Sequence, residues 1–172
     1  FWNDKNDIKF KNAYFNRFKN IWHHGDYAEI KNNGGYIIHG RSDTTLNPGG
    51  VRLGTAEIYS EVEKFKEIKE SIVVGQSWDN DVRIVLFIVM SKNFSLTTEL
   101  LNKIKLQIKK NVSPRHVPNK IIVVKDIPRT KSGKIVELAV KSKIEGNEIK
   151  NMEALANPEA IEQFDNLKEL TS

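Results

Sequence analysis

Ile68-Lys69-Glu70-Ser71-Ile72-Val73-Val74-Gly75-Gln76 and Val82-Arg83-Ile84-Val85-Leu86-Phe87-Ile88-Val89-Met90 decide the fold. Both runs are rich in the β-branched and aromatic residues that suit a pleated surface, and Ser77-Trp78-Asp79-Asn80-Asp81 supplies a polar turn between them. Residues 120–124 read as a third strand. On either side of the pair lie helical patterns. Residues 54–65 place Ile58, Val62 and Phe65 along one face. Residues 97–112 place Leu100, Leu101, Ile104 and Ile108 at helical spacing, with Thr97 or Thr98 as a cap and Glu99 near the positive end. Residues 135–144 predict a short helix, and Asn157-Pro158-Glu159 predicts the start of a last one carrying Ile161, Phe164 and Leu167. Three strands covered by helices make a small α+β domain.

The first forty-three residues have a different character. They are polar and aromatic, with β-like stretches at 27–30 and 36–40 joined by Asn32-Asn33-Gly34-Gly35, a hairpin signature. Such a segment is too small to bury a core alone, so it is expected to pack on another domain.

The chain has 172 residues and no cysteine, which excludes disulfides, thiolate metal sites and a cysteine nucleophile. Its net charge of +5 fits either lysines spread over a solvated surface or a polyanionic partner. No apolar run approaches a membrane span. The opening Phe1-Trp2 carries neither an initiator Met nor a targeting pattern, so the expectation is a fragment of a cytoplasmic, soluble protein. His23-His24 lacks an evident third ligand, and no metal site is expected.

Beyond the third strand, Pro128-Arg129-Thr130-Lys131-Ser132-Gly133-Lys134 sets a lysine on a polar loop hinged by glycine. A phosphate-binding loop also ends in Gly-Lys, but it needs a glycine five residues before that glycine and a Ser or Thr after the lysine. Pro128 and Ile135 stand there instead. A single cation reaching out to a substrate is the functional reading; an exposed turn lysine is the bland one.

Three more blocks supply the context: His24-Gly25-Asp26, Gly40-Arg41-Ser42-Asp43, and Asn47-Pro48-Gly49-Gly50-Val51-Arg52-Leu53-Gly54-Thr55-Ala56-Glu57-Ile58. With Ser132-Gly133-Lys134 they resemble, in order and spacing, the C-terminal part of the adenylate-forming acyl-CoA synthetases over about residues 22–134. A narrower resemblance lies in Phe1-Trp2-Asn3-Asp4, Trp22-His23-His24-Gly25-Asp26, Arg115-His116-Val117-Pro118 and Asn157-Pro158-Glu159. These look like the acetoacetyl-CoA synthetase branch rather than the acetyl-CoA synthetase branch.

The resemblance implies that residues 1–43 are the tail of an N-terminal adenylation domain including a hinge, and that residues 44–172 are a mobile C-terminal domain. It implies an AMP-forming acid–thiol ligase that joins acetoacetate to ATP, releases pyrophosphate and passes the acyl group to CoA. The intact enzyme would use Mg2+, ATP and CoA; this segment alone would be inactive, with the N-terminal domain as its partner.

By the same resemblance Lys134 is the adenylation lysine, stabilising charge at the α-phosphate. Asp26 accepts the two ribose hydroxyls, which a carboxylate can do with both oxygens. His24 departs from the threonine of many relatives. Arg41 lies near ribose and phosphates, and Arg52, grouped with the nucleotide site, steadies the second conformation. Asp43 is the hinge, or a plain turn residue. Gly50 leaves room for the pantetheine arm, or merely belongs to a Gly49-Gly50 turn. For CoA, Lys109 and Arg115 are candidates, although Lys103, Lys105, Lys109 and Lys110 also describe a helix's solvated face. Two rivals stay open: an acetyl- or propionyl-CoA synthetase domain, and a basic nucleic-acid-binding module. The second lacks an RNP-like aromatic strand or a zinc pattern.

Overall fold

Density of β-branched residues sets the centre of the molecule. In the computed structural model, which describes residues 1–149 and 151–172, the elements run α1 (Ile8–Tyr14), β1 (Asp26–Ile30), β2 (Tyr36–Arg41), α2 (Thr55–Val62), β3 (Ile68–Trp78), β4 (Asp81–Met90), α3 (Thr98–Asn111), β5 (Lys120–Val123) and α4 (Glu137–Ile144). β1 and β2 form an antiparallel hairpin. β3, β4 and β5 form a separate sheet with β4 in the middle, antiparallel to β3 and parallel to β5. The α+β expectation, a hairpin followed by a three-stranded sheet with helices, is met.

Strand β4 accounts for its own unbroken apolar sequence. Ile84, Leu86 and Ile88 join Leu46, Ile58, Val62, Leu100, Ile104 and Ile108 in one core, which α2 and α3 cover. Val85, Phe87 and Val89 join Val140, Leu155, Ile161, Phe164 and Leu170 in a second, covered by α4 and the C-terminal tail. A strand buried on both faces has no polar face to alternate with.

Three elements differ from expectation. The turn at 77–81 shrinks to Asp79 and Asn80, because strand pairing continues to Trp78↔Asp81 and both turn residues take positive φ, 49° and 60°. That geometry matches the twist of the flanking strands. The helix expected from residue 135 begins at Glu137, since Ile135 is held in a bridge with Arg129. The expected last helix is a 3-10 run, Pro158–Phe164, with Leu167 beyond it. Ile161, Phe164, Leu167 and Leu170 recur every three residues, the period at which 3-10 side chains eclipse. Asn157 does not cap that run.

The tail is bound by polar contacts as well. Arg83, buried and lying 3.7 Å above the Trp78 ring, donates to Gln76 Oε1 at 2.8 Å, to the Leu170 carbonyl at 2.5 Å and to the Ser172 carbonyl at 2.8 Å. Phe164 meets Phe87 edge-on with centroids 4.9 Å apart and is fully buried. Phe164→Ala should therefore cost roughly 3–5 kcal/mol in urea unfolding of the chain. A loss below about 1 kcal/mol would mean that the tail is not part of the core.

Candidate active site

The site begins at a backbone with no room for a side chain. Gly25 has φ +92°, and a Cβ there would stand 2.8 Å from Arg41 Nη2. Arg41, at the end of β2, therefore lies against bare backbone. Its Nη1 donates to the His24 carbonyl at 3.2 Å, and its Nε and Nη2 hold Asp43 at 3.2 and 3.1 Å. The hydrogen bonds to Asp43 hold the guanidinium pKa above its ordinary value, and the charges of Asp43 and Asp26 add to that. Asp26, opening β1, pairs with His24 Nδ1 at 2.6 Å and stands 3.9 Å from Arg41 Nη1. Ser42 closes the corner, its N–H and hydroxyl donating to the Gly25 carbonyl at 2.8 and 3.0 Å.

Lys134 arrives from the other side on a closed loop. Thr130 N–H donates to the Lys134 carbonyl at 2.8 Å, Gly133 N–H to the Thr130 carbonyl at 2.8 Å, and Lys134 N–H to Thr130 Oγ1 at 3.0 Å. Arg129 spans the base of the loop, donating to the Gly133 carbonyl at 3.2 Å and to Glu70 at 2.9 Å. Past the loop, the Tyr59 hydroxyl donates to Glu137 Oε1 at 2.5 Å and accepts from Val73 N–H at 3.0 Å. Burial, then the neighbouring Glu137 charge, pushes the Tyr59 pKa well up, so it remains a donor.

The two sides meet at a cleft of about 550 Å3, whose lining includes Tyr14, Arg17, Trp22, His24, Arg41, Asp43 and Lys134. That volume suits a small molecule. Its polar groups suit an anion: Lys134, Arg41 and Arg17 bring positive charge, while Asp26 waits beside Arg41 with one oxygen on His24. Of the residues singled out in the sequence, Lys134, Arg41 and Asp43 share this cleft and Asp26 adjoins it.

The others lie elsewhere. Arg52 is exposed beside the Leu46↔Leu53 bridge. Gly50, with φ +77° and nothing within 4 Å of where a Cβ would stand, borders a shallow depression at the β3–β4 turn. Lys109 is in the last turn of α3, and Arg115 in the 3-10 turn Pro114–His116 that follows. Among the described residues no group of three or more His, Cys, Asp or Glu could hold a metal ion.

Tyr14, Arg17 and Trp22 were not among the site residues expected from the sequence. Their signal was the aromatic density of the first residues, where Tyr14 stacks on Trp22 with centroids 4.0 Å apart.

A close seam determines how the hairpin meets α2. A Cβ on Gly54 would stand 2.4 Å from the His39 carbonyl oxygen, so β2 lies directly on the start of α2. Glu57 then ties both sides, 3.4 Å from His39 Nδ1 and 2.8 Å from His116 Nε2.

With this geometry in place, the chain's likeness to known proteins becomes informative. Residues 57–134 match the AMP-binding enzyme C-terminal domain. The chain is 58% identical over 172 residues to the acetoacetyl-coenzyme A synthetase of Rhizobium meliloti (strain 1021), and 47% identical to the acetoacetyl-CoA synthetase of Xenopus tropicalis. The likeness is to the acyl-CoA synthetases, and among them to the acetoacetyl-CoA synthetases. The structure of acetoacetyl-CoA synthetase from Streptomyces lividans matches 100% of this chain with a TM-score of 0.89 and 36% identity. A benzoate CoA ligase from Burkholderia xenovorans LB400 matches 79% with a TM-score of 0.66 and 25% identity. The two named relatives are covered over 26% of their length, as is the Streptomyces lividans chain, so this chain spans about a quarter of the relatives it matches. These similarities favour neither an acetyl- or propionyl-CoA synthetase nor a nucleic-acid-binding module. Among the described residues no helix is long and apolar enough to cross a membrane.

The seam yields a test. Gly54→Ala forces the hairpin away from α2, an overpacking that should cost about 1–3 kcal/mol. Amide exchange in β1 and β2 should rise more than in β3 and β4. Equal protection with unchanged stability would mean that the seam does not hold the hairpin.

Proposed function

We propose that this chain is the mobile C-terminal domain of an AMP-forming acetoacetate:CoA ligase, residues 44–172, together with the hinge and the end of the N-terminal adenylation domain, residues 1–43. The observation that carries the reading is the cleft in which Lys134 faces Arg41 and Asp43 beside Asp26. Ten of the fifteen exposed large hydrophobic side chains among the described residues fall within residues 1–38, from Phe1 to Ile38, which supports a covering domain over that segment.

In the first half-reaction a carboxylate oxygen of acetoacetate attacks the α-phosphorus of ATP and pyrophosphate leaves. The attacking group and the phosphate are both anionic, so the Lys134 ammonium lowers the barrier by balancing charge and by orienting the nucleophile. Arg41 offers a fixed fork near ribose and phosphate, held in aim by Asp43 and the His24 carbonyl. Asp26 receives the ribose hydroxyls, with His24 already steadying one carboxylate oxygen. Magnesium in this account accompanies ATP, and among the described residues no group of three or more His, Cys, Asp or Glu could hold it.

In the second half-reaction the CoA sulfur attacks the acyl carbon and AMP leaves. The small domain turns about Asp43, carrying Lys134 out and Gly50 in, with Arg52 steadying the new orientation. Open space at Gly50 leaves room for the pantetheine arm, and exposed Lys109 and Arg115 offer cations to the nucleotide end of CoA. The acyl pocket lies in the N-terminal domain, so the segment alone is inactive. Acetoacetate as substrate rests on similarity to its named relatives, and a cytoplasmic setting belongs to the same reading.

In the full-length ligase, Lys134→Ala should slow adenylate formation roughly 100- to 1000-fold, while thioester formation from supplied acetoacetyl-adenylate stays near the parent rate. Separate assays of the two steps decide. Equal losses in both would make Lys134 a structural residue.

A further inference from the structure

The lysine loop is attached to the C-terminal tail at Arg129, Thr130 and Lys131. The Arg129 N–H donates to Asn157 Oδ1 at 2.8 Å, and the Arg129 carbonyl accepts the Ala156 N–H at 2.8 Å. Thr130 and Leu155 form an antiparallel bridge, and the Lys131 N–H donates to the Ala154 carbonyl at 3.0 Å. The loop tip, residues 131–134, is exposed and has no apolar anchor of its own. Leu155, by contrast, is buried in the core beneath β4.

Asn157 fixes the geometry of this join. Its Nδ2 donates to Asp126 Oδ2 at 2.6 Å and to the Ile127 carbonyl at 3.1 Å, while its Oδ1 takes the Arg129 N–H. One carboxamide thus holds the chain on both sides of Pro128. Arg129 passes the constraint forward, its guanidinium reaching the Gly133 carbonyl, next to Lys134.

We propose that Asn157 is a positioning residue for Lys134: the tail segment 154–157 braces the lysine loop in the attitude needed for adenylate formation. The proposal rests on the reading of Lys134 as the adenylation lysine. Asn157 touches neither substrate nor reacting atoms. Its effect runs through Arg129, and so it serves only the step that uses Lys134. Loss of the brace frees the tip, and misplacement of a reacting group by about 1 Å costs on the order of 100-fold.

The test compares Lys134→Ala, Asn157→Ala and the double variant in the full-length ligase, with single-turnover rates for each half-reaction. Asn157→Ala should slow adenylate formation by on the order of 100-fold and leave thioester formation from supplied acetoacetyl-adenylate unchanged. In the Lys134→Ala background it should add nothing, because residues acting as one unit are not additive. If Asn157→Ala lowers the melting temperature strongly, Asn157→Ser, which keeps an acceptor oxygen, should show the same separation with a smaller loss. Losses shared by both half-reactions, or a full further loss in the Lys134→Ala background, overturn the brace alone. A Lys134→Ala enzyme slowed equally in both steps removes the reading beneath it, and the brace with it.

Discussion

Burial of β4 on both faces is the constraint from which the rest of the structure follows. Helices α2 and α3 cover one side, with Ile58, Val62, Leu100, Ile104 and Ile108 against Ile84, Leu86 and Ile88. The other side, Val85, Phe87 and Val89, is covered by α4 and by the C-terminal tail. The tail is therefore part of the core, and its path past residues 154–157 brings it alongside Arg129 and Thr130. Packing far below the cleft thus bears on where a surface lysine stands.

Electrostatics complete the arrangement at the other wall. Arg41 sits between Asp43, which it holds through two hydrogen bonds, and Asp26 at 3.9 Å. A guanidinium so placed keeps a fixed direction at little cost on binding an anion, because its fork is already ordered. Asp43 aims Arg41 and lies just past the end of β2. In the proposed reading, where it is also the hinge, a rotation there would alter the cleft and the lysine's access together.

Much of this was legible in the sequence, for local reasons. The Val- and Ile-rich runs gave β3 and β4, helical spacing of Leu and Ile gave α3 with Thr97 as its cap, accepting from Leu100 N–H at 3.2 Å, and glycine beside lysine marked the loop. What escaped was non-local. Tyr59 and Glu137 meet 78 residues apart. Asn157 belongs to the predicted start of the last helix, but its carboxamide is taken by residues 126, 127 and 129. The tail's three-residue period was visible yet was read as helical, since an apolar run beginning with proline fits both. Tyr14 and Arg17 line the cleft with Arg41, and Tyr14 is held there by stacking on Trp22, eight residues along the chain.

The central claim is that one small domain presents Lys134 to the cleft and then turns away about Asp43. Spin labels on Asn32→Cys in the hairpin loop and Leu106→Cys on exposed α3, in a full-length ligase freed of other reactive cysteines, measure it directly by pulsed electron resonance. The account predicts one distance with ATP and acetoacetate, and a second, resolved distance with a non-reactive acetoacetyl-adenylate analogue and CoA. The same single distance under both conditions would contradict it.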